Sequence, residues 1–231
     1  ALYIALQYGK IIKEKMLSGE KNQPKIIVLG FTKEIFKNEI LKFPELGFIT
    51  YQEREELIYL RNQLKTGLKI DIEKYNNFYN ALKRRLTSTI SFGYYQFYGY
   101  REFYTNLITI NESESENIMQ SDNVTQSETE HKISDSNYYK TLSMKKLYDG
   151  IIKNKILINY PLLEQLKNSV LICDEIHMVY NSLQPNNYGV AIQYVLDHYK
   201  EEIKALFLSA TLINNNPREV IDLINLARNS N

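Results

Sequence analysis

The chain has 231 residues, 44% of them hydrophobic and 24% charged, with a formal net charge of +1, which suits one large folded domain or one domain with an insertion. It has no run of about 18 apolar residues, which excludes a spanning helix of ordinary length, and its lone cysteine, Cys173, excludes an internal disulfide and favours a reducing, cytoplasmic setting. The opening residues Ala1 to Leu6 are apolar but lack the basic region of a signal peptide and an initiator Met, as expected of an excised piece of a longer protein.

Leu2, Leu6, Ile12 and Met16 fall close to one face of a helix over 1–18. Lys25 to Gly30 is a short apolar run between turn signals and reads as a buried strand. Thr32 is placed to cap a second helix from Lys33 to Lys42, which must stop before Pro44. Phe48 to Thr50 reads as another short strand. Residues 51–66 and 71–88 read as two helices broken at Gly67, a helical hairpin within 51–90 that carries the basic cluster Lys83, Arg84 and Arg85. That cluster is either a solvated helix face or a phosphate contact. Tyr94 to Tyr98 reads as a strand, and a helix follows Gly99 through Leu107. The aromatic residues from Tyr94 to Tyr104 are core residues for the most part. Tyr98 and Tyr100, flanking Gly99, are the candidates for stacking on bases.

From Asn111 to Ser136 there are seven acidic residues and one lysine, so this stretch carries −6 and the remainder +7. It is rich in Ser, Asn, Glu and Gln and reads as a disordered acidic linker. The basic remainder is compatible with a polyanionic partner, as it is with an ordinary lysine-covered surface. Beyond it come a helix to Lys153, the strand Lys155 to Ile158, and a short helix from Leu162 to Lys167 behind Pro161. The strand Ser169 to Cys173 ends in Asp174-Glu175-Ile176-His177. A helix over 190–202 precedes the strand Ala205 to Leu208, which ends in Ser209-Ala210-Thr211, and Pro217 opens the last helix. Apolar strands alternating with helices predict an α/β fold with a parallel sheet covered on both faces, and ligands in such sheets bind at the carboxyl ends of strands.

Two of those strand ends carry chemistry. A carboxylate on the tip of a buried strand holds magnesium through its waters, and a neighbouring carboxylate polarises an attacking water. Asp174 and Glu175 have that placement. Taken alone, an acidic turn after a strand is common, His177 reads as a structural histidine, and Ser-Ala-Thr as a small polar turn. Together and in this order they form a stronger pattern, because Ser209, 35 positions beyond Asp174, ends a second apolar strand and its hydroxyl can reach the acidic loop.

Asp-Glu-Ile-His followed by Ser-Ala-Thr resembles motifs II and III of superfamily-two DExH helicases. The stretches Ile27 to Phe36, Pro44 to Phe48, Phe97 to Tyr100, Ile172 to Asn181 and Gly189 to Leu196 resemble helicases and NTPases of large nucleocytoplasmic DNA viruses, a group related to the small subunit of the poxvirus early transcription factor. The resemblance covers nearly the whole chain outside the acidic stretch. It implies a RecA-like P-loop NTPase motor domain over 1–231, partial because its first strand and phosphate-binding loop are missing, with 51–90 as a helical insertion. It implies ATP and Mg²⁺ as cofactors, with Asp174 holding the metal through water and Glu175 activating water. His177 then couples nucleotide state to the motor, with Ser209, Ala210 and Thr211 in the motif III linkage. Phe31, Thr32 and Lys33, with Tyr98 and Tyr100, lie near the nucleic-acid track. The implied partners are nucleic acid, DNA favoured over RNA, and transcription machinery in a viral factory or virion, with no membrane. Two departures stand out. Leu212 follows Ser-Ala-Thr where the group has Pro, and no Gly-x-x-x-x-Gly-Lys-Ser/Thr occurs anywhere, Gly9-Lys10 being followed by Ile11. The 231 residues alone are therefore expected to be inactive as an ATPase, and the parent to be an ATP-dependent helicase. The alternatives are a non-catalytic nucleic-acid or polymerase docking module derived from a helicase domain, and another superfamily-two enzyme such as a restriction translocase subunit.

Overall fold

The computed structural model describes residues 2–19, 24–88, 93–111, 141–180, 186–210 and 218–228. The acidic stretch beyond Asn111, Asn181, Thr211, Leu212 and Pro217 lie outside them. The chain divides into two compact units, residues 1–99 with 168–172, and residues 100–167 with 173–231.

In the first unit, helix α1 (Leu2–Leu17) precedes strand β1 (Ile26–Leu29), every residue of which is buried. β1 pairs in parallel with β2 (Tyr95–Tyr98), with Ile26 opposite Tyr95 and Leu29 opposite Tyr98. Gly9 of α1 has a packing role: a methyl group there would overlap the Tyr94 hydroxyl, so its absence lets the helix lie close to that ring. Tyr94 and Tyr95 are both about 2% exposed and cluster with Phe48 and Phe97 at centroid distances of 5.0–5.7 Å. Burial pushes the Tyr94 phenol up to about 12. Ser169 is a buried polar residue that is satisfied: its hydroxyl accepts from the Lys25 N–H at 2.9 Å, and the Lys25 carbonyl accepts from Val170 N–H at 2.9 Å. Those bonds seat the start of β5 (Val170–Asp174). The strand's first three residues belong to this unit and its last two to the other.

Helices α2 (Lys33–Ile40), α3 (Tyr51–Gln63) and α4 (Lys69–Thr87) follow the expected pattern, with a tight turn at Gly67 (φ +71°) between the last two. Two local expectations are corrected. Thr32 precedes α2 but makes no side-chain cap hydrogen bond. Phe48 to Thr50 is not a strand: Phe48 and Ile49 are buried, and Thr50 caps α3. Glu53 N–H donates to Thr50 Oγ1 at 3.1 Å, and Thr50 N–H donates to Glu53 Oε2 at 2.9 Å, a complete capping box. The same Glu53 carboxylate receives both arms of Arg85 from α4, at 2.9 and 2.7 Å, and the guanidinium holds the carboxyl below its usual range. Lys83 pairs with Glu34 of α2 at 3.0 Å. Two of the three basic residues at 83–85 thus clasp the helices together, and Arg84 is exposed.

In the second unit, α5 (Tyr100–Leu107) runs directly into β3 (Ile108–Ile110), which pairs antiparallel with β4 (Ile156–Ile158). The strand at 155–158, expected in the parallel sheet, is therefore half of a separate two-stranded ribbon. Its partner β3 was not apparent from three residues of pattern. Helix α6 (Met144–Ile152) is capped by Ser143 and α7 (Tyr160–Gln165) by Asn159. The longest buried helix, α8 (Asn187–Tyr199), packs on α5, and its Tyr199 hydroxyl donates to the Leu163 carbonyl at 2.7 Å. Strand β6 (Lys204–Leu208) and α9 (Arg218–Arg228) complete the unit. The four-stranded, mostly parallel sheet has the order β2-β1-β5-β6, so the chain is α/β. Among the described residues no helix is long and apolar enough to cross a membrane.

Replacing Thr50 by Ala removes one side of the capping box and is expected to cost about 1 kcal/mol of stability. The same change at Thr32, which makes no cap bond, is expected to cost well under half of that. Urea denaturation of both variants checks the difference, and equal midpoints would show that the cap is not the source.

Candidate functional site

The site grows from the end of β5. Val170, Leu171, Ile172 and Cys173 are 0–3% exposed, so the strand is held by burial on both faces, as befits a central position. Burial pushes the Cys173 thiol far up, leaving it an inert core residue. Asp174 is the first residue to emerge. Its carboxyl is raised above the usual range, first by desolvation and then by the neighbouring Glu175 charge. A nearby cation would therefore steady the Asp174 charge.

Glu175 occupies the left-handed region, with φ +52° and ψ +44°, a conformation that costs a non-glycine residue about 1 kcal/mol or more. The tight turn Ile176–Met178 maintains it: Met178 N–H donates to the Glu175 carbonyl at 2.9 Å, and Ile176, 1% exposed, anchors the turn in the core. Strained backbone of this kind gathers at functional positions. The Glu175 Oε2 atom is buried and has no hydrogen-bond partner among the described residues. It lies 3.3 Å from His177 Nδ1, near enough for attraction but not aligned as a hydrogen bond.

His177 Nδ1 also lies 2.7 Å from Ser209 Oγ, the residue directly after β6. One ring nitrogen thus faces a hydroxyl and a carboxylate. Bare, it accepts the Ser209 proton; protonated, it is a donor to either oxygen. Ala210 is exposed. The structure therefore brings Asp174, Glu175, His177 and Ser209 together in the second unit.

Tyr100 differs from its expected place on a nucleic-acid track. It is 3% exposed, and its hydroxyl donates to the Asp174 main-chain carbonyl at 2.5 Å. Its ring is core, its phenol braces the strand tip, and burial raises its pKa well beyond the ordinary value. Gly189 is a further residue of the site that the motif pattern does not single out. A methyl group there would overlap the Val179 carbonyl, so the glycine lets α8 press against the chain just after the acidic turn. The Gly-Tyr pair at 99–100 marks a tight entry to a helix, but nothing local in it tells a brace from a stacking platform.

In the first unit, Phe31 (60% exposed), Thr32 and the half-buried Lys33 follow the carboxyl end of β1. Tyr98, half-buried, is the last residue of the adjacent β2, and its carbonyl accepts from Gly30 N–H at 3.2 Å. These four residues share the carboxyl edge of one strand pair.

The fold and site define an α/β protein with a mostly parallel sheet, one strand of which ends in paired carboxylates. No family model matches the chain, and no solved structure matches it. The chain is similar to the early transcription factor large subunit homolog of African swine fever virus, in isolates Tick/Malawi/Lil 20-1/1983 and Tick/South Africa/Pretoriuskop Pr4/1996. In each it is 37% identical over 218 residues, which cover 89% of this chain and 19% of the relative. It spans about a fifth of the length of the curated relatives it matches. The similarity supports a protein related to a viral transcription factor, named for a large subunit where the motifs resembled the group of a small one.

Replacing Tyr100 by Phe deletes the hydroxyl while keeping the buried ring. The Asp174 carbonyl then loses its donor, at an expected cost of about 1–3 kcal/mol. Urea denaturation checks it, and a variant as stable as the parent would show that the brace contributes nothing.

Proposed function

We propose that this chain is part of the first motor domain of an ATP-dependent DExH helicase or translocase that acts on nucleic acid, DNA in preference to RNA, in viral transcription in the cytoplasm of infected cells. The observation that carries the reading is the constellation at the two strand ends. Two carboxylates stand on the tip of a buried strand, one of them held in a strained conformation, and a histidine beside them meets a serine from the end of the next strand. The similarity to a viral early transcription factor subunit supports the setting.

The residues fit a magnesium nucleotide in part. Among the described residues no group of three or more His, Cys, Asp or Glu side chains is ready to hold a metal. Asp174 therefore offers one hard oxygen ligand site, of the kind magnesium takes through its own waters. A cation beside Asp174 would offset the desolvation that raises its carboxyl, and Glu175 Oε2 is a buried oxygen without a hydrogen-bond partner among the described residues. Magnesium bound with ATP supplies neutralisation of the phosphate charge. Glu175 would accept a proton from the attacking water through the exposed side of its carboxylate, which the fixed backbone positions. His177 and Ser209 report the state of the acidic turn to β6, with Thr211 and Ala210 continuing that link. Phe31, Thr32, Lys33 and Tyr98 form the nucleic-acid contact. The phosphate-binding loop comes from outside these 231 residues, which hold no Gly-x-x-x-x-Gly-Lys-Ser/Thr.

The test is the ATPase of the longer protein that contains this chain. Glu175→Gln is expected to lower turnover about 100-fold or more, the usual weight of a general base, with ATP binding retained. Turnover at the parent rate would remove Glu175 from the role, whereas the docking-module alternative expects no ATPase in the parent protein itself.

Ser209→Ala is expected to act differently. A neutral hydrogen bond is worth about 0.5–1.5 kcal/mol, so stimulation of hydrolysis by nucleic acid should fall about two- to tenfold while basal hydrolysis stays near the parent level. ATPase assays with and without single-stranded DNA measure both quantities, and unchanged stimulation would mean that the His177–Ser209 contact carries no coupling.

A further inference from the structure

The first unit holds a groove between α2, α3 and α4 that the proposed ATPase does not use. Its volume is about 560 Å³. On α3 its wall consists of Arg54, Leu57, Ile58 and Arg61, spaced i, i+3, i+4 and i+7, and so on one helical face. Ile35 of α2 faces them, and Tyr75 and Tyr79 of α4 close the groove. α3 has 13 residues and not one of them is fully buried. Helices of that length draw most of their stability from packing an apolar face. Ile35 is 58% and Ile58 44% exposed, so the aliphatic side of the groove lacks a cover.

The wall on α4 is rigid. Tyr75 and Tyr79 stack on each other at 5.5 Å and 14°. The Tyr79 hydroxyl bonds the Asn38 side chain, and the Lys83 ammonium lies 4.3 Å over the Tyr79 ring while pairing with Glu34. The groove is thus preformed, which lowers the cost of binding.

Its charge is unbalanced. Lys42 is matched by Glu39. The guanidinium groups of Arg54 and Arg61 form none of the side-chain hydrogen bonds or ion pairs seen among the described residues; Arg54 acts on the Glu45 carboxylate and Arg61 on the Tyr79 phenol through space. Seven residues of helix separate the Cα atoms of the two arginines by about 10.5 Å along the axis. A second helix laid along α3 repeats at the same interval, so two carboxylates one heptad apart meet both arginines.

We propose that this groove docks an amphipathic helix of a partner protein, with aliphatic residues on one face and two carboxylates one heptad apart beside them. The aliphatic residues cover Ile35, Leu57 and Ile58, and the carboxylates pair with Arg54 and Arg61. Nucleic acid fits less well: its backbone answers the arginines but offers nothing to cover exposed isoleucines. The two rings stack on each other, and Lys83 lies over Tyr79 as well, which leaves little ring face for bases. The inference stands apart from the ATPase reading, since it uses neither the acidic turn nor nucleotide.

The experiment uses the 231-residue chain and a fluorescein-labelled, 18-residue helical peptide with leucines on one face and two glutamates seven positions apart. Fluorescence anisotropy should show saturable binding, weakened tenfold or more by Arg54→Glu with Arg61→Glu. A peptide with lysines in place of both glutamates should bind that double variant and not the parent. Circular dichroism melting of the double variant confirms its fold, and Arg54→Gln with Arg61→Gln serves if it is unfolded, with an expected loss of at least threefold. A labelled 20-nucleotide single-stranded DNA is run alongside. The proposal is overturned if the glutamate peptide does not bind, if charge reversal leaves its affinity unchanged, or if the DNA alone binds and loses affinity on reversal.

Discussion

Burying Val170 to Cys173 while Asp174 and Glu175 emerge from the same strand is the constraint on which the candidate site depends. An ionised carboxylate cannot follow the apolar run into the core without a large desolvation cost, so the chain must turn where the apolar residues end. The turn is sharp because Ile176, only two residues beyond Asp174, is itself buried. Between two buried anchors, Glu175 has the left-handed conformation left to it. Tyr100 and Ser169 bracket the strand, one bonding the carbonyl at its tip and the other the backbone beside its start. Its ends are therefore fixed by directional bonds as well as by burial.

Charged residues elsewhere are used mainly as fasteners. Glu53 completes the cap of α3 and binds both arms of Arg85, joining a local helix signal to a contact 32 residues away. Bidentate arginine–carboxylate pairs are better defined than single contacts, although this one is partly solvated and its strength is correspondingly screened. Lys83 does similar work between α4 and α2. The basic character of this hairpin is thus spent largely on its own geometry, which leaves Arg54 and Arg61 as the notable unmatched cations of its groove.

His177 Nδ1 lies 2.7 Å from Ser209 Oγ and 3.3 Å from Glu175 Oε2, so one ring nitrogen joins the acidic turn to the end of β6. The similarity to a viral early transcription factor subunit covers a fifth of that protein's length.

Much was legible in the amino-acid order. The apolar runs at Ile26 to Leu29 and Val170 to Cys173 declared buried strands because few other arrangements hide four consecutive apolar residues in so short a span. Asp174, Glu175, His177 and Ser209 could be grouped from their positions at strand ends, and the turn at Gly67 from the chemistry of glycine. Tertiary structure alone decided the rest. Phe48 to Thr50 has strand-like residues, yet a capping bond to Glu53 and a ring cluster with Tyr94 and Tyr95 outweighed that weak propensity. The run at 155–158 found an antiparallel partner in Ile108 to Ile110, nearly fifty residues away, which no local pattern announces. Tyr100 carries a ring equally suited to stacking or to burial. Only the packing of α5 against α8 placed its hydroxyl on the Asp174 carbonyl, because a side chain's role depends on what the fold brings to it and not on its own chemistry alone.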